Sequence, residues 1–299
     1  MSTALDDAPP PGPRPSRHRG DRVRTGVRGL GELLITVGLV LLLFVVYELY
    51  WTDLVSAGKQ SDVTTALDQE WANGDNPTIA TPVVGQERTG QSTVALGAGF
   101  AKLYVPSFGS DYQFTVVEGT TQEALAVGPG HYAGTAFPGQ PGNFAVAGHR
   151  VGQGAPFNDL DLLQSCDSII TETADTWYVY RVLPMSEEVD GWGAGKGATD
   201  ASCTGTADND AAVAPLGGAY TGVVGRQIVD PSQGDVISPV PGDAAAAPTG
   251  ADAVSLLTLT TCHPRYSARQ RMIIHAVMVK QYPKSASAPG AVPPEMAKG

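Results

Sequence analysis

The 299 residues are 42% hydrophobic and 16% charged, enough for one or two domains with a real core. With 30 acids against 19 bases the net charge is −11, which argues against a general nucleic-acid binder. Three cysteines are too few for a disulfide scaffold and too scattered for a zinc ribbon.

Residues 1–30 hold six arginines (Arg14, Arg17, Arg19, Arg22, Arg24, Arg28) against Asp6, Asp7 and Asp21, a net of +3, so the rest of the chain carries −14. A basic head joined to an acidic body suggests a membrane between them. Leu33 to Tyr47 is an uncharged apolar run flanked by Glu32 and Glu48. Extended to residues 30–51, with Tyr47, Tyr50 and Trp51 as an outer aromatic belt, it is long enough to span a bilayer. The positive-inside rule sets residues 1–29 in the cytoplasm and the body outside. The alternatives are a buried core helix and a cleaved signal peptide, with Val55–Ala57 as a weak cleavage site.

Residues 52–99 read as a membrane-proximal helix, over 61–72, followed by a Gly/Pro/Thr linker. A folded domain is expected over 100–282. Its segments are short and β-rich: AKLYVPSF, QFTVVEG, GNFAVAGHR, SIITETADTWYVYRVL, RQIVDPS, DVISPV, AVSLLTLTTC and RMIIHAVMVK. Turn signals separate them at the spacing of an all-β barrel or sandwich, with a hairpin turning at Ala174-Asp175. Residues 184–225 interrupt this rhythm with nine glycines, six acids and one lysine, and read as a floppy loop too long to be incidental. Residues 283–299 form an Ala/Pro/Ser tail, expected to be disordered.

Cys262 ends an apolar strand, where a thiol is presented at a barrel rim; a buried core cysteine is the alternative. Thiol chemistry needs the thiolate, and thus cationic neighbours. His263, Arg265, Arg269 and Arg271 supply them, and a hairpin from Cys262 to Arg271 returns the guanidinium toward the sulfur. Arg271 stays protonated and offers planar donors to an oxyanion. His149 follows another short strand behind Gly148 and is a candidate general acid and base. His131 and His263 are rivals for that role, although neighbouring extended side chains such as Cys262 and His263 point apart. His275, inside a strand, reads as structural.

Thr258-Leu259-Thr260-Thr261-Cys262 matches the TLxTC signature of sortases. Arg271 nine residues on and Ala147-Gly148-His149-Arg150 match the segments that carry the family's arginine and histidine. Over about residues 100–282 the chain resembles sortases, most of all the class E enzymes of actinobacteria. The resemblance implies a closed eight-stranded β-barrel with short helices, behind one N-terminal transmembrane helix. It implies a cysteine transpeptidase outside the cell, acting on secreted proteins with a C-terminal sorting signal of the LAxTG or LPxTG type. Cleavage falls between Thr and Gly, and the acceptor is an amine of a peptidoglycan precursor or a pilin.

It also implies Cys262 as nucleophile, His149 as acid and base, and Arg271 as oxyanion ligand, with no metal or cofactor. Thr260, Thr261, Tyr112 and Tyr132 would lie along the substrate groove; ordinary surface tyrosines are the alternative for the last two. The insert 184–225 departs from the family and could reshape that groove. With Cys262 kept as the free nucleophile in an oxidising compartment, Cys166 and Cys203 remain to pair, unless both stay unpaired thiols. A hydrolytic cysteine peptidase and an anchored non-catalytic β-module are the competing readings.

Overall fold

The structure is a computed structural model that describes residues 19–47, 51–74, 94–205, 211–246, 248–285 and 290–297. Arg14, Arg17 and His18 of the basic head, and residues 75–93 of the linker expected over 73–99, lie outside the described residues. The chain divides into two compact units, Met1–Leu49 and Tyr50–Gly299.

Among its described residues the first unit contains one helix, α1 (Arg19–Val46). Its apolar window, Val23–Val46, is 24 residues long. At 1.5 Å per residue it spans about 36 Å, more than a hydrocarbon core of roughly 30 Å. The window starts earlier than Leu30 and takes in Arg28, whose Nε donates to Glu32 at 2.9 Å. Leu33, Leu34, Ile35 and the run from Leu39 to Phe44 are all exposed. A core helix would bury these side chains; this one buries none of its window, and it is long and apolar enough to cross a membrane.

In the second unit α2 (Thr52–Asn73) is longer than the expected helix over 61–72, and Val55–Ala57 lies inside it. Docking on the β-structure accounts for the length. The Gln60 side chain acts as a short strand: its Oε1 accepts from Thr115 N, and its Nε2 donates to Thr115 O at 3.2 Å and Val127 O at 2.9 Å. Leu67 is buried, and Lys102 Nζ meets Asp68 at 2.5 Å. Gly74, at φ 79°, ends the helix in the left-handed conformation that glycine adopts without penalty.

Among the described residues nine strands follow: β1 (Gly99–Tyr104), β2 (Gln113–Glu118), β3 (Gly130–His131), β4 (Gly142–Ala147), β5 (Ser168–Glu172), β6 (Thr176–Val182), β7 (Arg226–Val229), β8 (Ser255–His263) and β9 (Gln270–Pro283). Their order is β6-β5-β1-β2-β3-β4-β8-β9-β7, and β6 also pairs with β9. The β6–β9 pairing closes eight strands into the expected barrel, and β7 is a ninth outside the ring. Phe100, Leu103, Phe144, Val146, Ile169, Leu257, Leu259 and Ile274 meet in its core. The hairpin at Ala174-Asp175 forms between β5 and β6 as expected. DVISPV does not form a strand: Gly234–Ile237 is a 3₁₀ turn. The two-residue β3 was not expected, being too short to show a period.

β6 and β7 share one edge of β9. β6 runs along it as far as Val182 opposite Ala276, and β7 resumes with Arg226 opposite Ile274. Leu183 N donates to His275 O, and His275 N donates to Gly225 O, both at 3.0 Å. The insert therefore leaves and re-enters a single strand position. It is not the floppy loop expected from its composition. Trp192 and Val213 are buried with Cys166, Trp177 and Val179, and Tyr220 and Val223 pack with Leu183 and Leu256. Leu256 is six residues before Cys262 on β8, about 20 Å along an extended strand.

Cys166 and Cys203 form a disulfide, with Cα atoms 5.2 Å apart and a sequence separation of 37. It fastens the insert to the turn before β5. Closing a loop of this length contributes about 2–4 kcal/mol by chain-entropy reasoning. Cys203→Ser is expected to lower the thermal unfolding midpoint by roughly 5–15 °C. A midpoint unchanged by the substitution, in non-reducing buffer, would contradict this.

The tail also departs from expectation. Lys284 Nζ meets Glu172 at 2.6 Å and lies over the Trp71 ring at 4.5 Å, tying the end of β9 to α2. Glu295 is buried and accepts from Tyr282 Oη at 3.1 Å.

Candidate active site

Two parallel strands end side by side. β4 and β8 pair from Gly142–Ser255 to Ala147–Thr260. Gly148 N donates to Thr260 O at 3.0 Å, and Thr261 Oγ1 donates to Gly148 O at 2.8 Å. The same register, continued, sets His149 beside Cys262. Gly148 is needed for packing: a Cβ there would come within 2.5 Å of the Phe157 ring.

Cys262 is a half-buried free thiol. It stands directly opposite Arg271 in the antiparallel β8–β9 ladder. Opposed residues share a face with Cβ atoms about 5 Å apart, so the guanidinium and the sulfur emerge together. Arg271 Nη1 donates to Ala268 O at 2.9 Å and Gln270 O at 3.0 Å, which uses one terminal nitrogen of the fork. His149 is half-buried, and burial holds its imidazole below the usual histidine range. Its Nε2 has no hydrogen-bond partner among the described residues. The β4–β8 and β8–β9 registers thus set the strand ends that carry His149, Cys262 and Arg271 side by side.

The segment after His149 is tightly held. Gly152, Gln153, Gly154 and Ala155 have φ of 67°, 54°, 75° and 37°. Four consecutive left-handed residues are unfavourable, by about 1–2 kcal/mol for each that carries a Cβ. External bonds stabilise them: Gly154 N donates to Asp53 Oδ1 of α2 at 2.9 Å, and the Tyr112 hydroxyl donates to Pro156 O.

The remaining residues separate. Tyr132 Oη is 2.9 Å from Thr260 Oγ1, two residues before Cys262 on β8. Tyr112 is packed between Phe108 and Phe114 and spends its hydroxyl on Pro156; burial raises its phenol well above the usual range. Its contacts here are structural. Thr260 and Thr261 are both buried and point to opposite partners, Tyr132 and Gly148. His131 is fully buried, 2.7 Å from Glu118 through Nδ1 and 2.9 Å from Thr135 Oγ1 through Nε2. That removes it as a rival base. His275 is fully buried beside Thr258, and burial pushes its imidazole down to about 3.

Arg150 was not among the expected site residues. It is buried, and it touches both Cys262 and His263. Its only sequence signal is its place immediately after His149.

With this geometry the arrangement suits acyl transfer: a thiol nucleophile, an imidazole with a free nitrogen, and a cationic donor on one rim. The family model described as "Sortase domain" matches residues 103–279. The chain is 29% identical over 272 residues to sortase SrtE1 and 30% identical over 275 residues to sortase SrtE2, both of Streptomyces coelicolor. These alignments cover 89% and 90% of this chain, and 60% and 88% of the two relatives. The chain thus spans less than two thirds of the first relative's length. Among solved structures, the SrtF sortase from Corynebacterium diphtheriae matches at a TM-score of 0.56 and 38% identity, covering 73% of this chain and 100% of that one.

Proposed function

The chain belongs to the sortase family of cysteine transpeptidases, and from that premise we propose that it is a membrane-anchored sortase acting outside the cell. α1 holds it in the bilayer with the arginine-rich head on the cytoplasmic side. Its substrates are secreted proteins ending in a sorting signal of the LAxTG or LPxTG type, and its acceptor is an amine of a peptidoglycan precursor or a pilin. The observation that carries this reading is the pairing of Cys262 with Arg271 across β8 and β9, with His149 brought alongside by the β4–β8 register.

In this mechanism the neutral imidazole of His149 takes the Cys262 thiol proton. The thiolate attacks the threonine carbonyl carbon, and Arg271 receives the oxyanion. The C–N bond to glycine breaks as His149 returns the proton to the departing amine, leaving a thioester on Cys262. An incoming amine attacks that thioester, gives its proton to His149, and the sulfur leaves. Tyr132 and Thr260, joined through their hydroxyls two residues before Cys262, line the groove in this reading; Thr261 holds the strand end that carries His149. The reading is tested with LAxTG and LPxTG peptides, with and without an added amine. The expected product is the amine-linked threonine peptide. Hydrolysis alone, at all amine concentrations, would make the protein a peptidase.

Arg271→Lys is expected to lower kcat/KM about 10²- to 10³-fold, the usual loss when an oxyanion donor is removed. An ammonium keeps the charge but not the planar fork. A variant within threefold of the parent would take Arg271 out of the mechanism.

A further inference from the structure

Arg150 is a buried guanidinium, 4% exposed, at the joint between the two strand ends that carry His149 and Cys262. Nη1 lies 3.0 Å from His263 Nδ1 and 3.5 Å from Cys262 O, and Nη2 lies 3.0 Å from Asp161 Oδ2. Arg265 makes the reciprocal tie, donating from Nη2 to Asn158 O at 3.0 Å and meeting Asp159 Oδ1 at 3.3 Å. Two arginines therefore bind the loop after β4 to the end of β8 and the loop beyond it, one from each side.

A guanidinium can only donate hydrogen bonds. The His263 nitrogen that faces it must therefore accept, so Nδ1 carries no proton and the ring is the neutral Nε2–H tautomer. An imidazolium there would set two donors and two positive charges against each other at 3.0 Å. Resting on the sortase reading above, we propose that Arg150 is a positioning residue with two effects on the reaction. It clamps the Cys262 backbone against the strand end of His149, and it occupies Nδ1 of His263, so that this nitrogen of the histidine adjacent to the nucleophile cannot carry the transferred proton. The proton bound for the leaving amine is then carried by His149, whose Nε2 has no hydrogen-bond partner among the described residues. Arg150, itself paired with Asp161, is the charged group in contact with His263 among the described residues. Gln270, directly opposite, is neutral.

The test uses the full-length chain in detergent micelles, labelled with ¹⁵N-histidine. In the parent protein His263 shows an unprotonated Nδ1 and its proton on Nε2. In Arg150→Met the ring is released and shows both tautomers. The same variant loses about 10- to 100-fold in kcat on a sorting-signal peptide while KM stays within about threefold, because the reacting groups are misplaced rather than the substrate lost. Arg150→Lys recovers part of the rate but not the His263 signature, since an ammonium lacks the fork that reaches Cys262 O, His263 and Asp161 together. Should Arg150→Met fail to fold, the parent spectrum still decides. A His263 that carries its proton on Nδ1 in the parent, or an Arg150→Met variant with unchanged kcat, would overturn the proposal. Failure of the sortase reading would show differently, as a parent enzyme that cleaves no sorting-signal peptide or a Cys262→Ala variant that still does.

Discussion

Cys262→Ala is expected to abolish both cleavage and transfer, a loss of roughly 10⁶ in rate, the scale seen when the nucleophile of an acyl-transfer enzyme is removed. The thioester has no other place to form: Cys262 is the free cysteine, Cys166 and Cys203 being bonded to each other. The substitution removes one sulfur from a half-buried strand end, so the barrel should keep its thermal midpoint. That combination, intact fold with no turnover, is the diagnostic result. It is read by chromatography of the peptide products and by mass spectrometry, where the parent traps an acyl adduct and the variant does not. Residual cleavage within a hundredfold of the parent would require another nucleophile and would sink the mechanism.

His149→Ala is expected to lower kcat/KM by about 10²- to 10⁴-fold, the range of a lost acid–base group. Its pH dependence follows from its burial. Desolvation disfavours the imidazolium and holds the group below its usual value, so the ring remains able to accept the thiol proton as pH falls past about 6.5. Activity should therefore decline on the acid side only below that point, and the limb should vanish in the variant. An acid limb centred above about 6.5, or one that persists in His149→Ala, would assign it to another group. The matched control is His131→Ala, at a site whose ring is fully buried and occupied by Glu118 and Thr135. Loss of activity in that variant should come with loss of fold, not with a changed pH profile.

Much of the site was legible because it lies in short strands with strong local signals. The apolar run ending at Cys262 and the return at Arg271 are a hairpin in sequence, and hairpin register puts those two residues face to face whatever surrounds them. The apolar stretch of α1 was legible for the same reason: hydrophobicity over a helical length is a one-dimensional property. Elements without such a signal were missed or misread. β3 has two residues, too few for alternation, and is held by β2 and β4 rather than by its own propensity. The insert's glycines and acids hid Trp192, Val213 and Tyr220, which are buried only because the outer faces of other strands wait for them. α2 was half seen, because Gln60 and Leu67 have no helical meaning until Thr115 and the barrel wall are beside them.

The sequence by itself determined which chemistry this protein carries: a thiol at a strand end, an arginine nine residues on, and a histidine at a second strand end, in the order and spacing of sortases. Tertiary structure alone decided which groups are free to use it. Five histidines are equal in composition, yet burial and partners divide the four described. His131 and His275 are enclosed, His263 is pinned by Arg150, and His149 keeps a ring nitrogen without a hydrogen-bond partner among the described residues. Arg150 shows the limit most plainly. Next to His149 in sequence it is one more arginine of a basic neighbourhood. Its role depends on the parallel pairing of β4 with β8, strands more than a hundred residues apart, which no local pattern encodes.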